Sequence, residues 1–316
     1  MDGSIYRGGD GMSAGKSSKK IARGIWPALC TPFGDGDGGG VDSHRTRALL
    51  RHLIDAGSDG FFVCGGTGEG RVLTLPERKQ MAEVTICEVA GAVPVILQVG
   101  ATTTDNAVDL ARHAASIGSI DAVASVAPED RPNDLAAAVE HYAAIGAATD
   151  LPFYVYWLAN TADRSVVAEQ YLAAMEGVPN FSGVKFTDHN FYLFQQLIDL
   201  SDGKLNAITG PDEMCLPGMV MGSDAAIGTT YNIMPRLFLQ MRKDFEAGNL
   251  ADAMLAQTRA NRVISALAKV GVLAGTKAML GWRGVPVGPP RAVEPLSAEG
   301  ERQLRQALAA LDFDVA

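Results

Sequence analysis

Residues 94–126 read PVILQVGATTTDNAVDLARHAASIGSIDAVASV and set the pattern for the rest of the chain. The stretch opens and closes on two short runs, 94–99 (PVILQV) and 121–126 (DAVASV), that are mostly apolar on both faces. Parallel strands covered by helices look like this, because neither face meets water. Between the runs, 103–117 has the length and spacing of a helix, and Thr103 ahead of DNAVDLA supplies a capping hydroxyl. Strand, helix and strand together take about thirty residues, the length of a βαβ unit.

The unit recurs in both directions. Strand-like runs precede it at 24–29 (GIWPAL) and 60–64 (GFFVC). Others follow at 152–156 (PFYVY), 183–186 (GVKF), 205–209 (LNAIT) and 225–228 (AAIG). Helices are predicted between them, at 42–56, 75–89 and 132–148 among others, with Asp42 and Thr74 as further caps. Eight strands alternating with helices predict an α/β fold, a (β/α)8 TIM barrel. A doubly wound open sheet is the alternative, but the loop after the first strand lacks the glycine fingerprint such folds use for phosphate. After Asn232 the strand pattern stops. Helices are predicted over 234–247, 249–270, 275–280 and 297–311, with the stiff loop GVPVGPPR at 284–291. The expected organisation is a disordered leader at 1–20, the barrel at 21–235 and a C-terminal helical region at 236–316.

Composition narrows the class. A hydrophobic share of 47% allows a full core, and a net charge of -9 argues against nucleic acid or an anionic membrane as partner. Cys30, Cys64, Cys87 and Cys215 are widely spaced with no clustered histidine, so no metal site is expected and reduced thiols are. No apolar run approaches the ~18 residues of a membrane span, and the N-terminal stretch has no secretory core. A cytoplasmic location follows as the expectation.

In a barrel of this kind the chemistry sits where strands end. The sixth run holds Lys185 inside FSGVKFTD, where burial favours the neutral amine that attacks a ketone to form a Schiff base. A strand-end lysine can also snorkel to water. The fifth run ends Tyr154-Val155-Tyr156, and strand alternation puts the two phenols on one face, as proton relays or as packing. The second run leads into Gly65-Gly66-Thr67-Gly68-Glu69-Gly70, whose exposed N–H groups and Thr67 hydroxyl suit a carboxylate, or simply form a tight turn. Gly210-Pro211-Asp212-Glu213 and Gly228-Thr229-Thr230 end the seventh and eighth runs. Their acids and hydroxyls suit a polyhydroxylated chain, and the acids equally suit helix N-termini. Of five histidines, His189 alone lies near these positions.

Together these stretches, from 21 to about 311, resemble the dihydrodipicolinate synthase/N-acetylneuraminate lyase family of class I, Schiff-base aldolases. GGTGEG is similar to the family's carboxylate loop, Tyr156 falls on its catalytic tyrosine, and Lys185 in GVKFTD on its imine-forming lysine. LPFYVYW, GPDE, GTTYN and VPVGPPR are closer to the N-acetylneuraminate lyase branch, and Thr161 stands where the synthase branch has an arginine. The resemblance implies pyruvate, or a 2-keto sugar acid, as the small-molecule substrate, no cofactor and a homotetramer built as a dimer of dimers. It implies catalysis by Lys185 and Tyr156, with Gly66, Thr67, Thr187, Gly210, Asp212, Glu213, Gly228 and Thr229 binding substrate.

The sequence departs from the family at three places. Gly66 stands where a serine or threonine is usual, although keto-deoxy sugar acid dehydratases of the family also have glycine. Ala127-Pro128-Glu129-Asp130-Arg131-Pro132 replaces an aromatic motif after the fourth strand. Trp157, beside the tyrosine, is expected to reshape the pocket above the imine. The expected activity is cleavage of a hydroxylated 2-keto acid to pyruvate and an aldehyde. A dehydratase or a dihydrodipicolinate synthase-like enzyme, and a non-catalytic keto-acid-binding barrel, are the rivals.

Overall fold

The computed structural model describes residues 20–36, 39–311 and 313; most of the expected leader, residues 1–19, lies outside the described residues. Eight parallel strands form one sheet: β1 Gly24–Pro27, β2 Phe61–Val63, β3 Val95–Gln98, β4 Ala122–Ser125, β5 Phe153–Leu158, β6 Phe181–Thr187, β7 Asn206–Thr209 and β8 Ala225–Gly228. The sheet closes on itself. β1 pairs with β8, and on its other side Ala28 bridges Phe62, with Leu29 N donating to Phe62 O at 2.9 Å. The predicted (β/α)8 barrel is therefore the fold.

The helices are α1 Ser43–Asp55, α2 Leu75–Val89, α3 Thr104–Ile117, α4 Leu135–Gly146, α5 Ala168–Met175, α6 Phe191–Leu200, α7 Cys215–Val220 and α8 Pro235–Glu246. The caps read from sequence are present. Asp42 accepts from Arg45 N, Thr103 accepts from Asn106 N, and Thr74 with Glu77 forms a reciprocal capping box. α9 Leu250–Ala268, α10 Val272–Trp282 and α11 Ala298–Ala309 make the C-terminal extension. Among the described residues no single helix is long and apolar enough to cross a membrane.

Alternation along the strands divides the core in two. Inside the barrel lie Trp26, Phe62, Ile96, Ala124, Tyr154, Tyr156, Ile208 and Ile227. The larger cluster fills the layer between sheet and helices, where Ile25, Phe61, Val155, Trp157, Phe186 and Phe194 pack. The barrel interior is thus a packed core. At its C-terminal rim the extension returns to the barrel. Lys277 on α10 pairs with Glu69 of the loop after β2 at 2.5 Å, with side chains 1% and 0% exposed.

Candidate active site

β5 and β6 run in parallel register with Tyr156 opposite Lys185 and Leu158 opposite Thr187. The Tyr156 ring packs among the inward-facing residues, so the register sets amine beside phenol. Lys185 is 3% exposed; its Nζ lies 3.7 Å from the centroid of the Tyr156 ring and 5.1 Å from that of Phe62. Phe62 meets Tyr156 edge to face at 5.3 Å, which fixes the phenol's plane. The amine donates to Thr187 Oγ1 at 3.1 Å. Lys185, Tyr156 and Thr187 are thus one unit at the top of the barrel.

Gly210 holds that unit in place. A methyl at Gly210 would overlap the Thr187 hydroxyl and lie 2.9 Å from its Cβ, so only glycine lets Thr187 take its position. Gly228 is constrained in the same way, since its Cβ would lie 2.7 Å from both Asp212 Cγ and Tyr231 Cζ. Thr67 and Thr229 join their hydroxyls at 2.6 Å, tying the loop after β2 to the loop after β8. Gly66 sits beside the phenol: a Cβ there would be 3.8 Å from the Tyr156 hydroxyl, with no other atom within 4 Å.

The two acids after β7 differ in use. Asp212 accepts from Thr229 N at 3.2 Å, and from Thr230 N and Oγ1 at 2.6 Å each. Its carboxylate therefore caps the turn after β8, and burial pushes its pKa up to about 6 against those donors. Glu213 is half-exposed and pairs with His189 at 2.9 Å.

Two hollows flank the Lys185–Tyr156 pair. One, of about 390 Å³, is lined by Gly65, Gly66, Arg78, Gln98, Glu129 and Tyr156. The other, of about 440 Å³, is lined by Arg164, Thr187, Asp188, Gly210, Glu213 and Thr229, among others. The site is thus open towards β2–β4 on one side and β6–β8 on the other.

The expectation for Trp157 is corrected. It lies on the outer face of β5, stacked on Phe186 at 5.4 Å and edge-on to Tyr171 at 5.2 Å, because alternation turns it away from its neighbour Tyr156. It cannot cover the Lys185 amine. Its indole instead donates to Asp188 Oδ2 at 3.4 Å.

Several polar residues here carry no sequence signal. Arg78 on α2 is buried and spends its guanidinium on Gln98 O, Gln98 Oε1 and Gly100 O. His141 on α4 bridges Ser125 Oγ at 3.0 Å and Thr104 Oγ1 at 2.9 Å. Asp188 and Arg164 form a two-contact pair at 3.0 and 3.3 Å. Their partners lie far along the chain or are main-chain carbonyls, which no spacing reveals.

Residues 21–311 match the dihydrodipicolinate synthetase family. The chain is 34% identical over 272 residues to an N-acetylneuraminate lyase of Rhizobium meliloti (strain 1021), covering 85% of this chain and 88% of that one. It is 33% identical over 310 residues to that of Mus musculus, covering 93% and 94%. The solved N-acetylneuraminate lyase of Proteus mirabilis superposes with a TM-score of 0.86 at 30% identity, covering 93% of this chain and 100% of that one. The chain belongs to the dihydrodipicolinate synthetase family, as a pyruvate-dependent, Schiff-base-forming lyase on its N-acetylneuraminate lyase side.

Proposed function

We propose that Lys185 and Tyr156 cleave a hydroxylated 2-keto acid between C3 and C4. Lys185 Nζ adds to the C2 carbonyl and water leaves, giving a protonated imine. The C3–C4 bonding pair flows into that imine as Tyr156 takes the C4 hydroxyl proton. The products are an aldehyde and an enamine of pyruvate, which is protonated at C3 and hydrolysed. N–H groups of the loop at Gly66 and Thr67 hold the pyruvate carboxylate. Gly210, Gly228 and Asp212 shape the wall that presents Thr187, Glu213 and Thr229 to the hydroxylated half. The supporting observation is the buried Lys185 amine 3.7 Å from the Tyr156 ring.

Borohydride reduction with pyruvate, followed by peptide mapping, tests the reading. A pyruvyl adduct on Lys185 is expected, and one on another lysine would overturn it. Tyr156→Phe should lose on the order of 10²–10⁴ in turnover while still forming the adduct. Gly66 favours a second reading, since glycine at this place is shared with the family's keto-deoxy sugar acid dehydratases. Product analysis decides: a dehydratase keeps all the substrate's carbons, whereas the aldolase releases pyruvate. We place the enzyme in the cytoplasm, acting on small molecules as a homotetramer built as a dimer of dimers; sedimentation measures that mass.

A further inference from the structure

The hollow towards β6–β8 is lined by five groups able to carry charge, Arg164, Asp188, His189, Asp212 and Glu213, and each has a hydrogen-bonding partner. Asp212 is spent on Thr229 and Thr230, whereas one oxygen of Glu213 meets His189. The Asp188 side chain is 3% exposed and takes Arg164 Nε, Arg164 Nη2, Trp157 Nε1 and Asn190 N. Arg164 differs. Its side chain is 55% exposed, it lines the hollow, and Asp188 occupies only the Nε–Nη2 edge of its guanidinium. A guanidinium has five N–H groups in a rigid plane, so the Nη1–Nη2 edge keeps two parallel donors.

We propose that Arg164 is a specificity residue that binds a carboxylate on the aldehyde half of the substrate. The inference rests on the aldolase reading above and refines its substrate class to dicarboxylic 2-keto acids. A hydroxyl would use one donor of the open edge; a carboxylate uses both. Asp188 fixes the plane of the fork, and the Trp157 indole fixes Asp188. One role thereby links three neighbouring residues: Trp157 behind the tyrosine, the buried Asp188 after Thr187, and Arg164 on the loop after β5. Thr161, on the same loop, donates to Leu158 O and is buried, so the guanidinium enters from three residues further on. The substrate's two acid groups then lie at opposite ends of the site, one on the loop at Gly66–Thr67 and one on Arg164.

The test is condensation of pyruvate with aldehydes matched except for a carboxylate: tartronate semialdehyde against glyceraldehyde, and glucuronate against glucose. The wild type should favour the acid of each pair by roughly tenfold or more in kcat/KM, the worth of a charge-assisted pair. Arg164→Lys keeps a cation beside Asp188 but loses the fork. It should lower kcat/KM for the acids by roughly 10- to 100-fold, mainly through KM, and change the uncharged aldehydes less than about threefold. Arg164→Met combined with Asp188→Asn removes both charges together and should abolish the preference. Equal use of acid and uncharged aldehydes by the wild type, or an equal loss on both in Arg164→Lys, would overturn the proposal. Borohydride trapping of pyruvate on Lys185 should be unchanged in every variant. Its absence in the wild type would instead refute the aldolase reading.

Discussion

Replacing Lys277 with methionine tests how the C-terminal extension supports the site. The ammonium lies 2.5 Å from Glu69 Oε1 and over the Phe33 ring at 4.3 Å, and it also donates to Pro289 O. The other oxygen of Glu69 accepts from Arg291 N at 2.5 Å and Ala292 N at 2.7 Å, where the loop after α10 crosses the barrel rim. Burial drives the Lys277 pKa down and the Glu69 carboxylate draws it back up. Lys277→Met keeps the volume and strands a carboxylate that is 0% exposed. Breaking a buried pair from one side costs about 3–5 kcal/mol. Unfolding entropy of about 2.1 cal/mol/K per residue gives roughly 0.6 kcal/mol/K for a chain of this size, so the melting temperature should fall by about 5–8 °C. Glu69→Gln in the same background removes the stranded charge and should recover about half of that loss or more. Glu69 stands two residues after Thr67 with φ 57°, so its loss of hold should also raise KM for pyruvate more than it lowers kcat. Thermal and urea unfolding of the four proteins measures the cycle. A single variant within about 1 kcal/mol of wild type, or strictly additive effects, would refute the reasoning.

Gly210→Ala should push Thr187 off the Lys185 amine and slow imine formation by on the order of 10- to 100-fold; an unchanged borohydride trapping rate would remove Thr187 from its role. His141 is neutral in the fold because burial lowers its pKa from 6.5 to about 4. The unfolded chain binds that proton first, so roughly 3 kcal/mol of stability is present above pH 6.5 and lost as pH falls through about 4. His141→Gln should flatten the melting temperature across that window, and an unaltered slope would contradict the assignment.

The barrel was legible because a strand buried on both faces writes itself as a short apolar run, and each helix between runs has its own cap. Strand ends were less legible. β5 continues to Leu158 and β6 begins at Phe181, beyond the runs read at 152–156 and 183–186, because pairing is decided by the neighbouring strand. Lys185 stood out as a charge inside an apolar strand. Arg78 and His141 did not, since their partners are reached across sixteen residues or more, or are backbone. Trp157 was misplaced by attending to adjacency along the chain. The period of two that put Tyr154 and Tyr156 together also turns Trp157 outward. Asp212 and Glu213 read as a pair, yet burial makes one a cap and leaves the other at the rim.

Gly66 and the segment after β4 look like separate departures from the family, but they border the same space. Gly66, Val126 and Glu129 line one hollow with Tyr156, so both changes remove side chains from the same side of the phenol. That hollow ends at Glu129, paired with Arg71 at 2.6 Å on the exposed rim. Gly66→Thr tests whether the space is spare. Its Cβ meets nothing within 4 Å except the Tyr156 hydroxyl at 3.8 Å, and its φ is not one that favours glycine. The variant should therefore fold at least as well as wild type, gaining about 0.4–1 kcal/mol from the stiffer unfolded chain. It would also place a hydroxyl beside the phenol. If the space is spare, turnover should stay within about tenfold of wild type, with KM for pyruvate unchanged. A folded variant that traps pyruvate on Lys185 but no longer turns over would show that substrate fills the hollow during the reaction. The aldehyde half would then lie towards β2–β4, away from Arg164.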